Sequence, residues 1–312
     1  MIDTSRPPLA SLSFDIVSDF RQLTAYPFMV HALAAGTIVA ITAGVVGWFM
    51  VLRRESFAGH TLSVMSFPGA AGALLIGVPA AAGYFVFSGA AALLIGLAGS
   101  ASRRHRGEES AVTGAVQAFG LACGFVFLTL YQGVLANYED LLFGSFLGVT
   151  VGQVRLLAVV GVLTVASIVL IGRPLLFASV HEDVARARGV PVRALSIGYL
   201  VILGLAVGAT AQVTGALLVF ALLVAPAATA QTITPRIGAS LLLTVALALT
   251  TTWLALALAY FYDDPVGFYL TTIAFVLYVV ARGARGLIDR RAGQRRPLVS
   301  SNGIQFMTRG TG

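Results

Sequence analysis

One histidine lies where an ionisable side chain is costly. His60 sits in RRESFAGHTLSVMSFPGAAGALLIG, residues 53–77, which opens on Arg53 and Arg54 and then turns apolar. An imidazole within a bilayer faces protein or water rather than lipid. In its neutral form it is the commonest side-chain ligand for transition metals. Ser63 follows three residues on, with Met65 and Ser66 close behind. His60 is therefore either a metal ligand lining a path or a histidine bonded to a backbone carbonyl in a packed bundle. Pro68 cannot donate to the helix ladder, so it frees a carbonyl one turn back. The small residues at 69–73 let neighbouring helices come close. These features predict a kinked, tightly packed helix with Pro68 as its hinge.

A similar stretch is QVTGALLVFALLVAPAATAQTIT at 212–234. Its Pro226 leaves the Leu222 carbonyl free to bind a cation, to mark a hinge or simply to kink the helix. The other histidines are weaker candidates. His31, after Met29, is near the outer end of the first apolar run, His105 lies in an arginine cluster, and His181 lies in a polar loop. Glu139, Asp140, Asp263 and Asp264 fall in expected outer turns. There they either draw cations toward an entrance or keep a loop soluble. No carboxylate falls at the centre of an apolar run, which argues against a proton-coupled pump.

All twenty basic residues are arginine. Without lysine there is no Walker A loop and no Schiff-base chemistry. If ATP drives this protein, another chain hydrolyses it. The single Cys123 excludes an internal disulfide.

The elements that position these groups follow from hydropathy. The 312 residues are 58% hydrophobic and 11% charged, against about 25% charged in a soluble domain. The apolar runs are continuous rather than alternating, which predicts an all-α, polytopic helical membrane protein and not a β-barrel. Nine spans are expected, at 27–52, 57–78, 84–101, 111–131, 154–171, 194–211, 214–233, 239–261 and 267–280, or eight if one short hairpin does not cross. With the N-terminus outside, every arginine cluster falls on the cytoplasmic side. That placement accounts for the positive charge and gives no reason to expect nucleic acid as a partner. Residues 1–26 form an outer or interfacial segment, with Leu12, Ile16 and Phe20 at helical spacing. Residues 141–149 suit an interfacial or re-entrant half-helix. Residues 282–312 read as a basic, disordered cytoplasmic tail.

Between the fifth and sixth spans lies LLFASVHEDVARARGVPVR, residues 175–193. Ser179 with Glu182 reads as a capping box, and Gly189 and Pro191 as a stop. A helix of about nine residues is expected here by the capping rules. It is either a docking element for a peripheral subunit or a surface connector.

Three stretches, 51–77, 138–150 with 173–193, and 212–234, resemble in order and spacing the permeases of the ABC-3 family of metal-ion importers. The resemblance implies a type II importer-like bundle in a bacterial plasma membrane, transporting zinc, manganese or iron. It implies a permease homodimer that binds no cofactor of its own, two copies of a separate ATPase on the cytoplasmic face, and an extracytoplasmic metal-binding protein. It places coupling to the ATPase at 179–191, with Ser179, Glu182, Asp183, Ala185, Arg186 and Gly189. The family pattern carries an Asp and a His one turn apart before Pro-Gly. Here those positions are His60 and Val64. One ligand remains, of a different type, which favours an N-binding ion such as zinc over manganese. The altered pair also leaves open a permease or scaffold with a non-metal substrate.

Overall fold

The computed structural model describes residues 21–101, 106–131, 141–144, 146, 148–262 and 265–294. Among the described residues ten helices run in order: α1 (Pro27–Leu52), α2 (Ser56–Leu75), α3 (Ala80–Ala101), α4 (Arg106–Leu130), α5 (Val151–Val180), α6 (Glu182–Ala187), α7 (Val192–Thr214), α8 (Val219–Ile233), α9 (Ile237–Tyr262) and α10 (Val266–Gln294). All but α6 correspond to the nine expected spans. Glu139, Asp140, Asp263, Asp264, His105 and the stretch around Leu12 to Phe20 lie outside the described residues.

Among the described residues, seven helices are long and apolar enough to cross a membrane: α1, α3, α4, α5, α7, α9 and α10. The other two long elements are α2, which is too polar, and α8, which has only 15 residues. Both are enclosed by protein. α2 packs on α3, α4 and α7, whereas α8 packs on α1, α9 and α10. Thr61 to Ala71 are buried without a break, so α2 has no lipid-facing side over that stretch. The outer helices carry the apolar surface, as with Leu170 of α5 at 81% exposure.

Small residues permit the close packing. A Cβ on Gly69 of α2 would stand 2.3 Å from the Gly83 carbonyl oxygen of α3, and one on Gly47 of α1 would stand 2.2 Å from that of Leu223 in α8. Helix ends are closed locally. Gly77 and Gly189 both have positive φ, and the amides around them return to carbonyls of the last turn, forming Schellman stops after α2 and α6. α1 ends in the same way, but its left-handed position is held by Arg54 at φ 60°, at a cost of about 1–2 kcal/mol.

Three boundaries differ from expectation. The fifth span does not stop at Arg173-Pro174: α5 continues through Pro174 to Val180, because a proline within a helix removes one hydrogen bond without ending the remainder. Residues 141–143 are helical, but Gly144 turns away at φ 79°. The segment then docks on the break between α7 and α8, with Ala216 N–H donating to the Leu141 carbonyl and Leu217 N–H to that of Leu142, each at 3.1 Å. α10 runs past Val280 to Gln294, into the stretch read as a basic tail; residues 295–312 lie outside the described residues.

Gly144 and Gly215 (φ 74°) meet backbone to backbone at that break. A Cβ on either would lie 2.3–2.5 Å from main-chain atoms of the other segment. Gly215→Ala is expected to lower the melting temperature in detergent by about 5 °C or more, since strain and clash together exceed ~2 kcal/mol. Gly89→Ala and Gly238→Ala, at helical sites with open space, are the controls and leave it unchanged or slightly raised. Thermal unfolding by fluorescence size exclusion checks all three.

Candidate functional site

α2 is held to its neighbours by hydroxyl groups. Thr61 donates to Gln117 Oε1 of α4 at 3.0 Å, and Ser66 and Ser88 of α3 share a hydrogen bond of 2.9 Å. Ser63 donates to the Ala216 carbonyl at the α7–α8 break. Thr61, Ser63 and Ser66 are all buried, and each finds a partner, as a low-dielectric interior demands. Ser63 therefore joins the histidine-bearing helix to the start of α8.

His60 is half-buried one turn before Val64, which is buried. Its Nδ1 is buried and makes no hydrogen bond among the described residues. Of the two readings of His60, the carbonyl-bonded one therefore finds no support at Nδ1. The ring packs edge-on against Phe220 of α8, with centroids 5.0 Å apart. Phe220 also lines an apolar cavity of about 310 Å³ between α8 and α10, with Val224, Ala228, Ala274 and Phe275. Among the described residues no three His, Cys, Asp or Glu side chains cluster to hold a metal ion. Phe220 was not legible as a neighbour of His60, nor Ala216 as the partner of Ser63, since nothing in the local pattern pairs α2 with the α7–α8 break. Pro68 and Pro226 both lie inside their helices, α2 and α8. His31 is partly buried near the start of α1, and His181 is exposed.

The 179–191 segment is built differently from the capping-box expectation. Ser179 does not cap α6. It is in the last turn of α5, where its hydroxyl donates to the Leu175 carbonyl at 2.6 Å, the back-bond that a serine within a helix favours. The N-cap of α6 is His181, which makes no side-chain cap bond, and α6 spans six residues rather than nine. Ala185 is fully buried and packs with Ala178 and Val192 in a small apolar cluster apart from the main core. Glu182, Asp183, Arg186 and Gly189 are exposed, and Glu182 pairs with Arg186 one turn on. Arg188 lies over the Phe177 ring, 5.9 Å from its centroid. The end of α5, all of α6 and the start of α7 thus form one packed unit with a charged outer face.

Sequence reading missed the group that fastens this unit. Arg53 and Arg54 read alike as positive-inside anchors, yet only Arg54 is exposed. Arg53 turns inward with its side chain 9% exposed and pairs with Glu55 at 2.8 Å. Its Nη1 donates to Ser179 Oγ at 3.2 Å and its Nη2 to Ser196 Oγ of α7 at 2.7 Å. The guanidinium lies 5.2 Å from the Tyr199 ring centroid, and the Tyr199 hydroxyl donates to the Val46 carbonyl of α1 at 2.9 Å.

The profile of the ABC 3 transport family matches residues 25–284. The chain is 29% identical over 263 residues to the manganese transport system membrane protein MntC of Halalkalibacterium halodurans, covering 84% of this chain and 89% of that one. It is 28% identical over 256 residues to the chelated iron transport system membrane protein YfeC of Yersinia pestis, covering 82% and 86%. Among solved structures it resembles PsaBC from Streptococcus pneumoniae in complex with Fab, with a TM-score of 0.75, 26% identity and coverage of 85% and 95%.

Ala185→Asp places a carboxylate in a fully buried site and is expected to detach α6. Amide exchange in 182–187 should then rise to nearly the free-chain rate while the spans stay protected. The charge-removing Glu182→Ala should leave protection within about 0.5 kcal/mol of wild type, because an exposed i,i+4 pair contributes only that much. Hydrogen–deuterium exchange with mass spectrometry reads both.

Proposed function

Because the chain belongs to the ABC 3 transport family, we propose that it is the permease subunit of an ATP-driven importer of divalent metal ions in a bacterial plasma membrane. The observation that carries this reading is the family match across 25–284, which takes in α2, α6 and α8 together. The relatives named for manganese and chelated iron support a metal cargo. This chain is not the ATPase. It has no lysine to build a Walker A loop, and nucleotide hydrolysis falls to a separate subunit.

In this reading the ATPase docks on the exposed face of α6, where Glu182, Asp183 and Arg186 offer both charge signs. The path runs beside α2 and α8, the two helices enclosed by protein. Two copies of the chain form it, since a metal site needs several donors and, among the described residues, no three His, Cys, Asp or Glu side chains cluster. An extracytoplasmic metal-binding protein delivers the ion, and ATP-driven movement of α6 opens the path to alternate sides. Lipid covers the outer apolar faces of the bundle.

Ion choice divides two readings. The named relatives favour manganese or iron. The His60 and Val64 pair, with an imidazole and no carboxylate, favours zinc.

Uptake of radiolabelled zinc, manganese and iron by cells with and without the gene tests this directly. Gene-dependent uptake of at least one is expected, with zinc the largest, and His60→Ala should cut it about tenfold or more, the scale of disturbing a metal's ligand shell. Restoring the family pair with His60→Asp and Val64→His should shift preference toward manganese. No gene-dependent uptake of any of the three would transfer support to a permease or scaffold with a non-metal substrate.

A further inference from the structure

We propose that Arg53 is a positioning residue that ties α6 to α2, so that displacement of the exposed helix is delivered to the helix carrying His60. The inference rests on the permease reading above, because it needs an ATPase to move α6.

Three covalently distant segments meet at one guanidinium. Ser179 closes α5 just before α6, and Ser196 lies in the first turns of α7 just after it. Both accept from Arg53, across 126 and 143 residues of sequence. These two hydroxyls flank the α6 unit, whose own cluster of Ala178, Ala185 and Val192 makes it move as one piece. Arg53 itself closes α1, and its ion-pair partner Glu55 is the N-cap of α2. The Glu55 carbonyl accepts from the Gly59 amide at 3.0 Å, one residue before His60. The chain of contacts is therefore continuous from α6 through Ser179 and Ser196 to Arg53, then Glu55, then the first turn of α2.

A guanidinium suits this task because its planar fork holds several acceptors at fixed angles, which a lysine ammonium on a flexible stem does not. Burial makes the arrangement close to all-or-none, since a charge at 9% exposure cannot give up its partners without leaving them uncompensated. When the α6 unit shifts, the guanidinium keeps its acceptors and carries Glu55 with it. The Glu182–Arg186 pair, by contrast, stays within α6.

The test uses the permease co-purified with its ATPase in lipid nanodiscs, trapped with ATP and vanadate, and follows amide exchange by mass spectrometry. In the wild type, trapping is expected to alter exchange both at 179–193 and at 55–62. In the Ser179→Ala, Ser196→Ala double variant, which keeps the Arg53–Glu55 pair, the change at 179–193 persists and the change at 55–62 is lost. Arg53→Lys, which keeps the charge, gives the same separation and serves if the double variant assembles poorly. Both changes surviving in either variant would overturn the proposal. So would a wild type whose 55–62 segment does not respond while 179–193 does. A residue that merely braced the fold would raise exchange at both segments before trapping and would leave their responses linked. No metal is added, so a failure of metal uptake counts against the permease reading alone, and a failure here counts against the Arg53 link alone.

Discussion

In an apolar surround a polar group without a partner is more costly than almost any other local error, and this bundle is organised around satisfying α2. Its hydroxyls, its proline and its glycines make it unfit to face lipid, so the long helices enclose it and supply the partners. Thr61, Ser63 and Ser66 each bind a different neighbour. The helix that carries the candidate ligand His60 is therefore also closely specified by its surroundings. His60 stands at the edge of that specification. Its Nδ1 is the polar atom on α2 that is buried and left without a protein partner among the described residues.

The two ends of α2 are fixed by different physics. At the arginine end the link is electrostatic, a buried guanidinium holding Glu55, Ser179 and Ser196. Nearer the middle it is a backbone matter. Ser63 holds the Ala216 carbonyl, and Gly144 and Gly215 allow the 141–144 segment to lie directly on that same break. α2 thus touches both the unit that would meet a motor and the helix break that precedes α8. Movement of α2 between these two attachments is the simplest way for one event to reach the other.

Much of this was legible along the chain. Continuous apolar runs between arginine clusters located nine long helices, of which seven among the described residues are long and apolar enough to cross a membrane, and the left-handed stop at Gly189 followed from a glycine before a proline. The small residues after Pro68 announced a close approach by a neighbouring helix, which the Gly69–Gly83 contact shows to be α3. Long-range pairings were not legible. Arg53 and Arg54 look equivalent in sequence, and only the fold turns one inward to serines 126 and 143 residues away. Ser179 misled for a local reason: a serine three residues before a glutamate matches a capping box, but within a continuing helix its hydroxyl binds the carbonyl behind it instead. The contact of His60 with Phe220 depends on where the α7–α8 break falls, and no short motif records that.

The most direct measurement is anomalous X-ray scattering at the metal absorption edge from crystals of the permease–ATPase complex grown with zinc or manganese. The predicted result is a peak at coordination distance, about 2.1 Å, from a ring nitrogen of His60 beside Phe220. A well-occupied peak in the translocation path that lies away from α2, with His60 still packed only on Phe220, would contradict it.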